Sequence, residues 1–298
     1  MTARVNPNIV PDLLVGLNQV QLQLNEADTQ LASGKTINTP SDNPAGAAAL
    51  ILNSAEQSSN DTFQQNISDL QSKMQIADSA LNSAVNAINQ AISLGTEGGN
   101  SDLSDQDRQA IANQLSGIQQ ELLGIANTTV GGTYLFGGTL VETQPFTLDP
   151  ASLNGVDYHG NNSAASVEIA NGQSVSVNVP GSQLFLNPAG NLFGSVQQLI
   201  TALQTNSGIG NAVTSLGQAS SEFDAQRLSY GSALNQLQAT DSFLSSENTQ
   251  LVTQQSNIDA ADIAKVTTNF SQEEVAYQSV LSAEGKILSL PNLLNYLS

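Results

Sequence analysis

Between Asn211 and Ile258 an apolar side chain recurs at every seventh residue: Leu216, Phe223, Tyr230, Leu237, Leu244, Leu251 and Ile258. This spacing predicts one long helix with a single apolar edge. The row three residues earlier opens with Val213 and includes Leu234, but otherwise reads Ser220, Arg227, Asp241, Asn248 and Gln255. The edge is therefore narrow and suits a rod better than a globule. At the usual helical rise the ladder would run roughly 60 Å, and an isolated helix of that length cannot bury its own edge. It needs long partners.

The rest of the chain offers them. After Pro11, which suits a first helical turn, Leu13, Leu17, Val20, Leu24, Ala27 and Leu31 step by four and three, and Ser33-Gly34-Lys35 ends this first helix. Thr36 to Gly46 holds two prolines and the cap formers Ser41 and Asp42, an extended link entering a second helix. There Phe63, Ile67, Leu70, Met74, Ala77, Leu81, Ala84 and Ile88 alternate by four and three, making this helix the partner of the ladder until it stops near Gly95 to Gly99. Ser104-Asp105-Gln106-Asp107 reads as a capping box opening a third helix with Ile111, Leu115, Ile118, Leu122 and Ile125.

After Thr129 the period changes. Gly131 to Gly138 reads as a short aromatic strand between glycine pairs. Val167 and Ile169 alternate, Asn171-Gly172 makes a tight hairpin turn, and Val175, Val177 and Val179 alternate back, so this stretch is a small β insertion. Because its period-two core does not share the heptad rows, it is expected to fold semi-independently. Leu192, Val196, Leu199 and Leu203 resume the helical step. Past the ladder, Asp259 to Asp262 shifts the phase, and a last helix carries Val266, Phe270, Tyr277, Leu281 and Leu288 before Pro291.

These elements predict a mainly α fold: an elongated heptad helical rod with paired terminal helices and a small β insertion domain. Residues 1–39 and 262–298 form the terminal segments, 40–136 and 192–261 the rod, and 137–191 the insertion. The terminal helices are short with thin stripes, so they are expected to order only on assembly. Leu13, Leu17, Val20, Leu24, Leu31, Val266, Phe270, Tyr277, Leu281 and Leu288 are the candidate assembly residues. The ladder from Leu216 to Ile258 is the candidate rod seam.

Charge narrows the partners. Twenty-six acids against seven bases give a net charge of -19, which opposes binding to phosphate backbones or anionic lipid. Charged residues make up only 11% of the chain, leaving a polar rather than ionic surface. Without cysteine neither disulfide nor thiolate chemistry is available. The N-terminus lacks the apolar core of a cleaved signal, and no stretch approaches the roughly 20 apolar residues of a membrane span. Membrane insertion is not expected.

Enzymatic chemistry finds little material. A serine triad or a zinc site would have to use His159, the one histidine, which stands between loop residues rather than opposite a helical partner. Asp102, Asp105 and Asp107 lack the glycine and distal glutamate of a calcium loop and suit capping better. No enzyme activity, cofactor or metal is expected.

Leu31-Ala32-Ser33-Gly34-Lys35, Asn38-Thr39-Pro40-Ser41-Asp42-Asn43-Pro44-Ala45-Gly46 and Ile258-Asp259-Ala260-Ala261-Asp262-Ile263-Ala264 resemble the two ends of the bacterial flagellin superfamily. Gly132-Thr133-Tyr134-Leu135-Phe136-Gly137-Gly138, Pro145-Phe146, Val156 to Gly160 and Val177 to Gly181 with Phe185 are similar to its hook-filament junction branch. The resemblance implies an axial flagellar subunit, exported unfolded through the type III channel without a cleaved signal and located on the extracellular flagellum. It also implies that terminal helices pair as an inner tube and that the insertion projects outward. Implied partners are other copies in a ring, a neighbouring hook-associated protein, flagellin, and an export chaperone at the C-terminus near Leu290 to Leu294. The filament subunit itself is the alternative.

Overall fold

The computed structural model describes residues 9–288, with the side chains of residues 9, 10, 287 and 288 left undescribed. Seven helices occur among them: α1 Ile9–Ser33, α2 Pro44–Gly98, α3 Asp105–Ala126, α4 Gly181–Phe185, α5 Leu192–Gln204, α6 Ile209–Asp259 and α7 Ile263–Leu288. Between α3 and α5 lie four antiparallel strand pairs. Thr129–Val130 (β1) pairs with Thr133–Tyr134 (β2), and Phe146–Leu148 (β3) with Val156–Tyr158 (β4). Ser166–Ala170 (β5) pairs with Gln173–Ser176 (β6), and Leu186–Asn187 (β7) with Gly190–Asn191 (β8). The described residues divide into two compact units, residues 9–58 with 247–288, and residues 59–246.

The second unit holds the main core. On α2, Ile67, Leu70, Met74, Ala77, Leu81, Ala84 and Ile88 are all buried, as are Ile111, Leu115, Ile118 and Leu122 on α3 and Leu216, Phe223, Tyr230, Leu237 and Leu244 on α6. Gln64 donates to Ser245, and Arg227 pairs with Asp78 at 2.9 Å. Gly95 lies against Leu199 and Val213. Contacts on α2 at 95, 78 and 64 thus meet α6 at 213, 227 and 245, so the two helices run antiparallel. Helix α2 continues through Gly95, where a Cβ would sit 2.7 Å from a Leu199 methyl and 2.8 Å from one of Val213. A glycine inside a helix weakens it modestly, and here it lets α5 and α6 close onto it.

Caps follow the sequence. Ser104 accepts from the Asp107 N–H while Asp107 accepts from the Ser104 N–H, the reciprocal arrangement expected. These hydrogen bonds, the Ser104 hydroxyl first, hold the Asp107 carboxyl below its usual pKa. Asp105 pairs instead with Arg108 at 2.6 Å. Asn191 caps α5 by accepting from Gly194 at 2.9 Å.

The insertion departs from the sequence reading in two ways. Gly131 and Gly132 form the turn between β1 and β2, with φ of 58° and 82°, and the strand that follows them stops at Tyr134 instead of running on to Phe136. Two consecutive positive φ values match a hairpin turn that twists with its strands. The chain then leaves the ladder, and Phe136 drops into the core. Nor is the insertion semi-independent. Phe136, Phe146 and Phe185 form one aromatic group with Phe193 of α5 and Phe223 of α6, at centroid separations of 5.4 to 5.8 Å. Strand pairs of two to five residues cannot close a core alone, so they use the helices. Tyr230 of the heptad ladder binds the insertion directly, its hydroxyl accepting from the Val179 N–H at 3.1 Å.

In the first unit α1 and α7 pack along each other. A bridge between Lys35 and Ala260 puts the end of α1 beside the start of α7, so they too are antiparallel. Helices α1 and α7 thus supply each other with a partner within the single chain.

Candidate functional site

Two features of the first unit stand out, a joint and an apolar pair of helices. At the joint, Asp259 ends α6 with its side chain almost fully buried. Its Oδ1 accepts from the Ile37 N–H at 3.0 Å, and its Oδ2 lies 3.4 Å from the Lys35 ammonium. The Thr36 N–H donates to the Asp259 carbonyl at 2.6 Å, and Ala261 N–H to Gly34 O at 3.0 Å. Lys35 is largely solvated, so the ion pair contributes little. The buried carboxylate's bond to backbone is worth more, because losing it would strand the Ile37 N–H.

The link itself is held by Asp42, which accepts from the N–H groups of Asn38 and Thr39 and from the Thr39 hydroxyl. These bonds, the Thr39 hydroxyl first, hold its carboxyl below the usual value. The helix cap belongs to Asn43, which accepts from Gly46 at 3.0 Å. Asp262 accepts from the Lys265 N–H at the start of α7. Sequence reasoning marked 259–262 as a phase break without seeing Asp259 as an anchor. The available signal was a carboxylate immediately after the last ladder residue.

Along the terminal pair the candidate residues divide. Leu13, Leu17, Val20, Leu24 and Leu31 are half-buried, with Ala27 fully buried among them. On α7, Val266 is buried and Phe270 and Tyr277 are half-buried. Leu281 is exposed, and the half-buried position is Val280. A step of three or of four from Tyr277 fits a heptad equally, and the stripe takes the shorter. The Leu288 side chain and the segment from Leu290 to Leu294 lie outside the described residues. Outward from the pair, Leu14, Val15 and Leu22 on α1 and Ile263, Val275 and Leu281 on α7 are exposed.

The ladder behaves as its spacing requires. Leu216 to Leu251 are buried and Ile258 is half-buried, while every member of the companion row from Val213 to Gln255 is half-buried. Burial pushes the Tyr230 hydroxyl up to about 12, and burial also raises Tyr158, which donates to the carbonyls of Phe136 and Asn161.

In the second unit a cleft of about 750 Å³ is lined by amides and hydroxyls, among them Asn154, Asn191, Gln197, Thr201 and Asn211. His159 is exposed, its Nε2 2.8 Å from the Thr147 hydroxyl. Among the described residues no group of three His, Cys, Asp or Glu is placed to hold a metal ion, and no helix is long and apolar enough to cross a membrane.

Residues 11–140 match the bacterial flagellin N-terminal helical region, and residues 213–297 match the bacterial flagellin C-terminal helical region. Flagellar hook-associated protein 3 of Salmonella typhimurium is 26% identical, with 89% of this chain and 90% of that protein aligned. Flagellin A of Vibrio anguillarum is 31% identical, but over 48% of this chain and 38% of its own. The crystal structure of hook-associated protein 3 from Legionella pneumophila superposes with a TM-score of 0.64 at 16% identity, covering 70% of this chain and 98% of that one. The fold is thus shared with a hook-associated protein.

Proposed function

Because the chain belongs to the bacterial flagellin family, carrying both its N-terminal and its C-terminal helical regions, we propose that it is a structural axial subunit of the flagellum, seated at the junction of hook and filament. The observation that carries the reading is the apolar surface left open along the terminal helix pair. Leu14, Val15, Leu22, Val275 and Leu281 face solvent in the single chain, and exposed apolar rows of this kind mark protein contacts. A tube built from several copies would cover them, with the candidate residues from Leu13 to Leu31 and from Val266 to Leu288 as its helical wall.

The choice of junction over filament rests on identity held over the whole span, 26% across 89% of the chain for hook-associated protein 3 against 22% across 92% for a flagellin of Listeria monocytogenes and 31% across only 48% for flagellin A. On this reading residues 1–39 and 262–298 build the tube, 40–136 and 192–261 the rod, and 137–191 the outward insertion. Its partners are further copies in a ring, a hook-associated protein on one side and flagellin on the other. An export chaperone holds the C-terminal segment before type III export to the cell exterior. The role is structural, with no catalytic step.

Immunogold labelling of isolated flagella tests the proposal. A single band at the hook boundary is expected. Label along the whole filament would replace the junction reading with that of the filament subunit.

A further inference from the structure

The sequence contains two Asn-Gly steps, Asn154-Gly155 and Asn171-Gly172. Such a step is chemically fragile, because glycine leaves the backbone nitrogen sterically free to attack the preceding side-chain amide. The fold treats the two steps differently. We propose that Asn171 is a site of spontaneous modification, converting through a cyclic succinimide to aspartate and isoaspartate, and that Asn154 is shielded from it.

Asn171 and Gly172 form the exposed turn between β5 and β6, just past an irregularity in register between Glu168 and Ala170. Gly172 has φ of 71° and open space where a Cβ would stand, so water reaches the turn. Its N–H donates to the Glu168 carboxylate at 3.0 Å. That carboxylate therefore accepts the very proton that must leave for the nitrogen to act as a nucleophile, and it serves as a local general base.

In the reaction the Gly172 nitrogen bonds to Asn171 Cγ while its proton passes to Glu168. The Cγ–Nδ2 bond then breaks, and the amide nitrogen departs as ammonia after taking up a proton. Water next adds to either carbonyl of the five-membered ring and opens it. One opening gives aspartate and the other isoaspartate, which carries an extra carbon in the main chain.

At the other step the same atoms are tied. Asn154 is half-buried, its Oδ1 accepting from Asn191 Nδ2 at 2.8 Å. The Gly155 N–H donates to Ser152 O at 3.0 Å, and the space beside its Cα is filled by the side-chain amides of Gln119 and Gln197. Cyclisation there requires local opening first. Conversion at Asn171 also has a structural consequence. A second carboxylate would enter the turn whose Gly172 N–H binds Glu168, and an added main-chain carbon would disturb the strand that Asn66 holds through the Glu168 carbonyl at 3.0 Å.

The test is timed incubation of the full-length chain in neutral buffer, with peptide mapping by mass spectrometry and an isoaspartyl methyltransferase label. Asn171 should convert at least about tenfold faster than Asn154, since only the latter needs an opening step. In denaturant the two rates should converge. Glu168→Gln should slow Asn171 by about tenfold, a modest general-base effect for an exposed carboxylate, and should leave Asn154 unchanged. Equal rates in the folded chain, or faster conversion of Asn154, would overturn the site assignment. An unaltered rate in Glu168→Gln, with the fold intact by circular dichroism, would overturn the role of the carboxylate.

Discussion

The α6 ladder and the terminal pair carry the same heptad spacing, yet Leu237 is 0% exposed while Leu13, Leu17 and Leu24 are only half-buried. Spacing decides which residues share a face. The number of neighbours decides how deeply that face is covered. In the second unit the ladder meets α2 along its length and shares one core with α3, α5 and the aromatic group of the insertion. In the first unit α1 and α7 mainly have each other, and two helices cover only a seam. A heptad row with half-buried members therefore marks a helix short of partners, the condition under which assembly adds burial.

A charge placed in both rows gives the largest expected effect. Leu237→Asp strands a carboxylate in a closed core and should destabilise the second unit by about 4–5 kcal/mol. Leu17→Asp can turn its carboxylate toward water and should lower stability by about 1–2 kcal/mol. Thermal circular dichroism checks both, and equal losses would mean that the terminal pair is as closed as the ladder.

Next in size is Phe185→Ala, expected to cost about 3–4 kcal/mol through loss of buried ring and the cavity left behind. Because Phe185 touches Phe136, Phe146, Phe193 and Phe223, helices and insertion should unfold together at a lowered temperature. A separate early transition of the insertion, with the helical signal unmoved, would restore its independence.

Tyr230 allows the same core to be probed by pH. Its pKa is raised from 10.0 to about 12, so the folded state holds the proton that the unfolded state releases. The stability is fully present below pH 10 and falls as pH rises toward 12, by on the order of 2–3 kcal/mol. Tyr230→Phe should remove that alkaline loss, as urea melts at a series of pH values would show. An unchanged alkaline slope would assign the loss to other groups.

What the sequence disclosed follows from the same contrast. Periodic features were legible: the ladder, its half-wet companion row, the α2 stripe, the capping box and the Asn171-Gly172 turn all depend on local spacing. Features set by distant atoms were not. Nothing local says that Asp259 would accept from the Ile37 N–H. Nor is it evident locally that Asn127 would pair with both backbone groups of Phe146, donating to its carbonyl at 2.9 Å and accepting from its N–H at 3.0 Å. The insertion looked separate because its period differs. Its aromatic rings nevertheless share a core with the helices, a matter of volume rather than period. In the candidate site the α1 stripe was readable, whereas on α7 spacing alone does not separate half-buried Val280 from exposed Leu281, since steps of three and of four from Tyr277 fit a heptad equally.

Asp259→Ala addresses the joint and should cost about 1–2 kcal/mol, the range for leaving a buried N–H without its acceptor. The loss should be confined to the first unit. Hydrogen exchange should speed at Ile37 and Thr36, with the α2 and α6 amides between 59 and 246 unaffected. Faster exchange throughout that second unit would mean that the joint supports the whole chain.

The smallest effect on folding is expected at Leu22. Its side chain is 69% exposed on the face of α1 turned away from the half-buried stripe, so Leu22→Ser removes little buried surface from the single chain. The change in melting should be about 0.5 kcal/mol or less. If the open apolar row is an assembly surface, Leu22→Ser and Val15→Ser together should leave the purified subunit folded and monodisperse, yet fail to restore filament attachment in a strain lacking the native copy. Restoration at the wild-type level would show that this row stays in solvent after assembly, and the search for the contact would move to Val275 and Leu281 on α7.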